Sequence, residues 1–174
     1  MKLESSDIID QPIDKVYATV RDHLADIAPY LPNVEKIEVE SEKNAKTGKS
    51  ITNRWYADVP VPGLLKKVLK PEMFSWLDKA VWHDKNKKVD YVLESTFGKE
   101  LFDAKGTNTF VDMGDGRTEL KFSCEVVIYP EKVPGVPKLL AKKVGPAIEA
   151  LLKKMLEPNL TSLGSGLKVY YEEK

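Results

Sequence analysis

Hydrophobic residues along this chain change their period three times. Leu3 to Ile9 reads as a short strand, with Ile8 and Ile9 as its apolar residues. Ile13, Val16, Tyr17 and Val20 then recur at helical spacing and predict a short amphipathic helix. Asp10 is placed to cap that helix, and Pro12 is tolerated in its first turn, where a missing N–H costs nothing. A second short helix, Leu24 to Tyr30, should end before Leu31-Pro32-Asn33, because the residue before a proline avoids the helical region.

From Val34 the period falls to two. Val34, Ile37 and Val39 open a strand that ends in the polar turn Asn44 to Lys49. Ile51, Asn53, Trp55, Ala57 and Val59 alternate with Thr52, Arg54, Tyr56 and Asp58 on the next. After an interruption from Val59 to Pro71, strand character resumes between Met73 and His83. Val89, Tyr91 and Leu93 follow a second polar turn. Phe102, Ala104, Gly106, Asn108 and Phe110 mark one face of another strand, and Met113-Gly114-Asp115-Gly116-Arg117 is a strong turn signal. Leu120, Phe122, Cys124, Val126 and Ile128 give the cleanest one-sided alternation in the chain. Short turns throughout imply an antiparallel, meandering sheet of about seven strands.

Helical period returns from Val136. Leu139, Leu140, Val144, Ile148, Leu151, Leu152, Met155 and Leu156 form an apolar stripe opposite a lysine-rich face. Pro146 and Pro158 should bend this helix. The sequence leaves open whether Val169-Tyr170-Tyr171 prolong it or leave it. A sheet with one polar face needs a cover for the other, so the order of elements predicts an α+β domain, 1–174, in which a curved sheet and one long helix enclose a cavity.

Charge changes the picture by exclusion. Lys+Arg and Asp+Glu are both 27 among 174 residues, so no global field draws in nucleic acid or anionic membrane. The one cysteine cannot form an internal disulfide, the N-terminus lacks a signal-peptide apolar stretch, and no run is long enough to span a bilayer. These features point to a cytoplasmic protein.

Three stretches resemble the helix-grip group of the START/Bet v 1-like superfamily, the SRPBCC and polyketide cyclase-like domains. Ile8-Ile9-Asp10-Gln11-Pro12-Ile13-Asp14-Lys15-Val16-Tyr17 is similar to its strand, apolar-x-Pro, helix opening. Tyr30-Leu31-Pro32-Asn33-Val34 resembles its passage into the second strand, and Asn53-Arg54-Trp55 with Ser75-Trp76-Leu77-Asp78 its mid-sheet strands. The resemblance implies a cavity for an apolar small molecule or lipid, and carries no universal catalytic residues.

Catalytic and metal chemistry find little purchase in the sequence. His23 and His83 are far apart, with no acidic or thiol partner at ligand spacing, and read as solvated surface residues. Cys124, between Phe122 and Val126, reads as a small buried hydrophobe. No catalytic residue, metal site or cofactor motif stands out. Trp55, Trp76, Trp82, Tyr91, Phe102, Phe110 and Phe122 serve either as core or as cavity wall. Asn53, Asp78, Asn108 and Thr109 matter more, because an inward polar group without a partner costs about 1–3 kcal/mol and calls for a ligand or water.

The expected cavity lining is Asn53, Trp55, Trp76, Asp78, Tyr91, Phe102, Asn108, Phe110 and Phe122 from the sheet, with Leu140, Val144, Ile148 and Leu152 from the helix. In helix-grip proteins the mouth lies among loops such as 59–71 and 130–137, so Leu64, Leu65, Val68, Val133 and Val136 are expected to gate it. The basic, apolar 59–71 loop would also suit transient docking on an anionic membrane. The expected function is binding or transport of an apolar or amphipathic molecule, lipid-, sterol- or polyketide-like. Two rivals stand beside it: a polyketide cyclase or aromatase-like enzyme, and a protein-interaction module whose core is filled by touching rings.

Overall fold

The computed structural model describes residues 1–61, 63, 66–67, 74–96, 101–134 and 136–174, without the side chain of Lys138. Its strands are β1 (Lys2–Ile9), β2 (Val34–Ala45), β3 (Gly48–Ala57), β4 (Ser75–His83), β5 (Lys88–Ser95), β6 (Phe102–Asp112) and β7 (Thr118–Ile128). They form one sheet in the order β1-β7-β6-β5-β4-β3-β2, antiparallel at every pairing. Alternation makes these strands. In β7, Leu120, Phe122, Cys124 and Val126 are buried while Lys121 and Glu125 are exposed. The β6–β7 turn places Gly114 and Gly116 at φ 78° and 82°, a left-handed backbone that glycine adopts without penalty.

Helices α1 (Ile13–Asp22) and α2 (Leu24–Ile27) carry the chain from β1 at one edge to β2 at the other. Helix α1 buries Val16, Tyr17, Thr19 and Val20. Its cap position is Pro12 and no side chain caps it, so Asp10 does not play that role. The second predicted helix divides into α2 and a 3-10 turn, Ala28–Tyr30. In β1 only Leu3 and Ile9 are buried; Ile8 points outward and is exposed. Strand period places neighbours on opposite faces, so Ile8 and Ile9 could not both face the core.

The C-terminal cover is α3 (Lys138–Thr161) followed by α4 (Leu163–Glu172). Helix α3 continues across Pro146 and Pro158, and the chain leaves helical geometry at Ser162, φ −97° and ψ 2°. The buried stripe also starts later than the sequence pattern. Leu139 and Leu140 are 94% and 48% exposed, Val144 is half-buried, and continuous burial begins at Ile148. The early part of α3 lies beside the 3-10 turn Pro130–Lys132, with Gly145 next to Pro130, and the helix as a whole also packs on β1 and β7. Val169-Tyr170-Tyr171 belong to α4, which packs against β1 and the Ala28–Tyr30 turn. Glycine permits that approach: a Cβ at Gly164 would overlap the Asp7 side chain, and one at Gly166 would crowd Leu31.

Candidate functional site

The pleat brings one face of five strands together over the sheet's concave side. Trp55 of β3 lies opposite Trp76 of β4, Asn53 opposite Asp78, and Asp78 opposite Leu93 of β5. Ala80 faces Tyr91, which in turn faces Gly106 of β6, and Asn108 faces Phe122 of β7. A cavity of about 50 Å³ sits among Trp55, Trp76, Asp78, Ala80, Trp82, Val89, Tyr91, Leu93, Asn108 and Phe122. Val20, Leu24, Asn159, Leu160 and Leu163 close it from the helices.

Six of the predicted wall residues, Trp55, Trp76, Asp78, Tyr91, Asn108 and Phe122, meet there. Asn53, Phe102, Phe110, Ile148 and Leu152 are buried, but outside the cavity wall. Leu140 is exposed and Val144 only half-buried, because the cavity lies under the C-terminal end of α3 rather than its start. Thr109 alternates away from Asn108 and Phe110, onto the other face of β6. Of the expected gate, Val133 and Val136 are buried in the hydrophobic core and do not line the cavity. Two successive turns, Val133 N–H to Pro130 O and Val136 N–H to Val133 O, accompany that inward placement. Leu64, Leu65 and Val68 lie outside the described residues, as does most of the 59–71 loop assigned to membrane docking.

Rings fill much of the interior. Trp55 and Trp76 stack at 5.7 Å between centroids, and Tyr91 stacks on Phe122 at 6.3 Å. Tyr17 of α1 meets Trp82 and Phe110 edge-on at 5.2 and 5.3 Å. Glycine again makes room, since a Cβ at Gly106 would overlap Tyr91 Oη and the Ser123 carbonyl oxygen.

The polar groups in this wall are unusual. Trp55 Nε1, Asp78 Oδ1, Trp82 Nε1, Asn108 Oδ1 and Asn159 Oδ1 are buried without a hydrogen-bond partner, and all five residues line the cavity. Among the described residues one further side-chain atom shares that condition, Ser162 Oγ at the α3–α4 junction. Asn159 donates through Nδ2 to Met155 O at 2.8 Å, which leaves its oxygen free.

Burial pushes the Asp78 carboxyl up to about 7, against the partial pull of the Trp55 and Asn53 donors. Those donors lie near enough to favour the carboxylate, yet neither Trp55 Nε1 nor Asp78 Oδ1 completes a hydrogen bond of good geometry. Asp78 keeps some accessible area while protein surrounds it, as a side chain on a cavity wall does. Its titratable neighbours stay neutral. Burial raises the Tyr91 phenol, and pushes the Cys124 thiol up to about 11.

The expected lining lacks Asn159 and the helix residues Val20, Leu24, Leu160 and Leu163, and it leaves Trp82 between core and wall; the structure puts all six on the wall. Asn159 had a legible signal: it continues the Ile148, Leu152, Met155 stripe at helical spacing, a polar residue on an apolar face. Trp82 shares the alternation of Trp76, Asp78 and Ala80. Elsewhere, His23 sits 3.2 Å from Asp26 and His83 2.9 Å from Asp90. Among the described residues no three His, Cys, Asp or Glu side chains are grouped to hold a metal, and no helix is long and apolar enough to cross a membrane.

No protein-family model matches the sequence, and no curated protein matches it significantly. Solved structures do. The Zhui aromatase/cyclase from Streptomyces sp. R1128 superposes with a TM-score of 0.64 at 16% identity, over 98% of this chain and 95% of that one. Ara h 8.0201 gives 0.57 at 14% identity, over 100% and 99%. A START superfamily protein from Mycobacterium smegmatis gives 0.51 at 14%, over 91% and 96%. Strand order, the paired short helices and these superpositions agree: the chain has the helix-grip fold of the START/Bet v 1-like superfamily.

Proposed function

We propose that this protein binds a small amphipathic molecule in the cavity between β3–β7 and the C-terminal helices. The observation that carries this reading is the coincidence of five unpartnered buried polar atoms with one cavity. Each such atom costs about 1–3 kcal/mol when left dry, so a protein selected only for stability would pair or replace them. A ligand, or water awaiting one, removes that cost. Apolar burial of about 25 cal/mol per Å² supplies affinity, and the polar atoms set orientation.

Size narrows the ligand. Drug-sized molecules occupy about 300–1,000 Å³, whereas this cavity is about 50 Å³. A lipid, sterol or polyketide therefore requires the Trp55–Trp76 or Tyr91–Phe122 stack to part. A compact ligand requires less.

One observation favours a second reading, an enzyme of the cyclase type. A carboxyl pushed up to about 7 exchanges its proton near neutrality, the range in which general acid–base catalysis is efficient. Tyr91 and Asn108 on the same wall would orient a substrate. The touching rings, in turn, are what a filled-core interaction module would need.

Native mass spectrometry of protein purified without detergent tests the binding reading. A stoichiometric small-molecule adduct, released on unfolding and identified by metabolite analysis, is the expected result. A bare mass, with no change in tryptophan fluorescence when amphipathic probes are added, would overturn it and leave the interaction module.

A further inference from the structure

Within that reading, we propose that the ligand is a small organic cation, an amine whose ammonium group pairs with Asp78 inside the aromatic cavity. The chemistry of the wall is one-sided. Among the described lining residues Asp78 is the only acid, and neither lysine nor arginine accompanies it. A buried carboxylate without a countercharge is among the costliest arrangements a fold can carry, and a cation of the ligand removes the defect.

The count of unpartnered atoms fits as well. Three are acceptors, Asp78 Oδ1, Asn108 Oδ1 and Asn159 Oδ1, and a primary ammonium carries three N–H donors. The remaining two are indole donors: that of Trp55 lies beside Asp78, and that of Trp82 suits a hydroxyl or carbonyl oxygen of the molecule. Trp55, Trp76, Trp82 and Tyr91 line the same cavity, and an aromatic wall attracts a cation more strongly when water is excluded. A fatty acid or other anion meets the opposite field, since Asp78 would repel its carboxylate.

Binding a cation would draw the Asp78 carboxyl back from about 7 toward the ordinary carboxylate range. The groups facing it do not compete for that proton: Asn53 on β3 and Asn159 on α3 do not titrate, and burial holds Tyr91 on β5 and Cys124 on β7 neutral. Below pH 7, therefore, ammonium binding should release about one proton.

The test uses matched probes of increasing size, methylammonium to benzylammonium, each with its alcohol and carboxylate counterpart. Affinity is read by calorimetry in buffers of different ionisation enthalpy, and the Asp78 carboxyl is followed by carbon NMR. The expected result is at least a tenfold preference for the ammonium over its alcohol at pH 8, lost in Asp78→Asn, with proton release at pH 6. Alcohols binding as tightly as ammonium, or an Asp78→Asn variant with unchanged preference, would overturn the cation while leaving the cavity reading intact. If none of the probes binds and the Asp78 signal does not move, the cation is overturned, and only a bare native mass would take the cavity reading with it.

Discussion

Two aspartates on or beside the same strand meet opposite fates. Asp84, just past the end of β4, accepts hydrogen bonds at 3.0 Å from both Tyr17 Oη and Arg21 of α1. Around it Arg21 also pairs with Asp22, Lys49 joins Asp22 to Glu42, and Lys87 reaches Asp14. These charges pair with one another, and together they lock α1 onto the hairpin turns. Asp78, six residues earlier, lies in the cavity with an unpaired oxygen and unpaired neighbours. The same fold thus satisfies its polar groups where the task is to hold elements together. Where it leaves them unsatisfied, in one place and in number, structure alone gives no reason for them. That contrast is why the cavity, rather than the charged surface, reads as functional.

Acid titration should separate the two regions most sharply. The folded-state pKa of Asp78, about 7, lies above the ordinary unfolded value of about 3.9. Its protonated form is therefore the one the fold favours, and stability falls as pH rises from about 4 to 7 and then levels off. The full difference is as much as about 4 kcal/mol. Urea unfolding at pH 5 and pH 8 should show Asp78→Asn more stable than wild type at pH 8, with most of the difference gone at pH 5. Equal stability at pH 8 would mean that the carboxylate has a countercharge after all.

Next in size is Gly106→Ala, which forces a methyl into Tyr91 Oη and the Ser123 carbonyl. A loss of about 3 kcal/mol is expected, with a changed tryptophan and tyrosine near-ultraviolet signal as the aromatic wall shifts. On the lock side, Tyr17→Phe removes one hydrogen bond to a partly exposed carboxylate and should cost about 1 kcal/mol. The smallest effect belongs to Asp22, which hydrogen bonds from Arg21 and Lys49 hold down at about 2. Its contribution is present above the unfolded pKa and disappears as pH falls through about 2, the reverse of Asp78. Solvent screening keeps it under about 1 kcal/mol, so Asp22→Asn should be detectable only at low salt. A larger loss in Asp22→Asn than the gain in Asp78→Asn would undo the contrast.

Much of this architecture was legible because strand alternation is a local property. Alternation in β3 and β6 sets Asn53 and Asn108 on faces shared with apolar residues but leaves their direction, and that of Asp78 and Thr109, open. In the structure Asp78 and Asn108 line the cavity, Asn53 is buried, and Thr109 lies on the opposite face of β6. What was not legible depended on distance. Whether a residue on the apolar stripe of α3 meets sheet, turn or solvent depends on where the helix crosses the strands, which no periodicity encodes. Leu139 and Leu140 carry the same pattern as Leu151 and Leu152, yet only the later pair is buried. Asn159 was passed over for the converse reason: the stripe was traced by its apolar members, and the single polar one is what the cavity uses. The β1 pattern failed more simply, since Ile8 and Ile9 are adjacent and a strand can bury only one of them.

The position of β1 beside β7 has a consequence for how the protein is made. The amino group of Met1 donates to the carbonyl of Val126 at 2.7 Å, across a sequence separation of 125 residues. Strands β2 to β7 each pair with a neighbour in sequence, but the first strand of this sheet pairs with its last. Its closure carries the largest loop entropy in the sheet. Until β1 docks on β7 and α3 and α4 follow, the β7 edge and the covered face of the sheet stay open. Until both the sheet's edge and its helical cover are in place, the aromatic wall is exposed to water and to other chains.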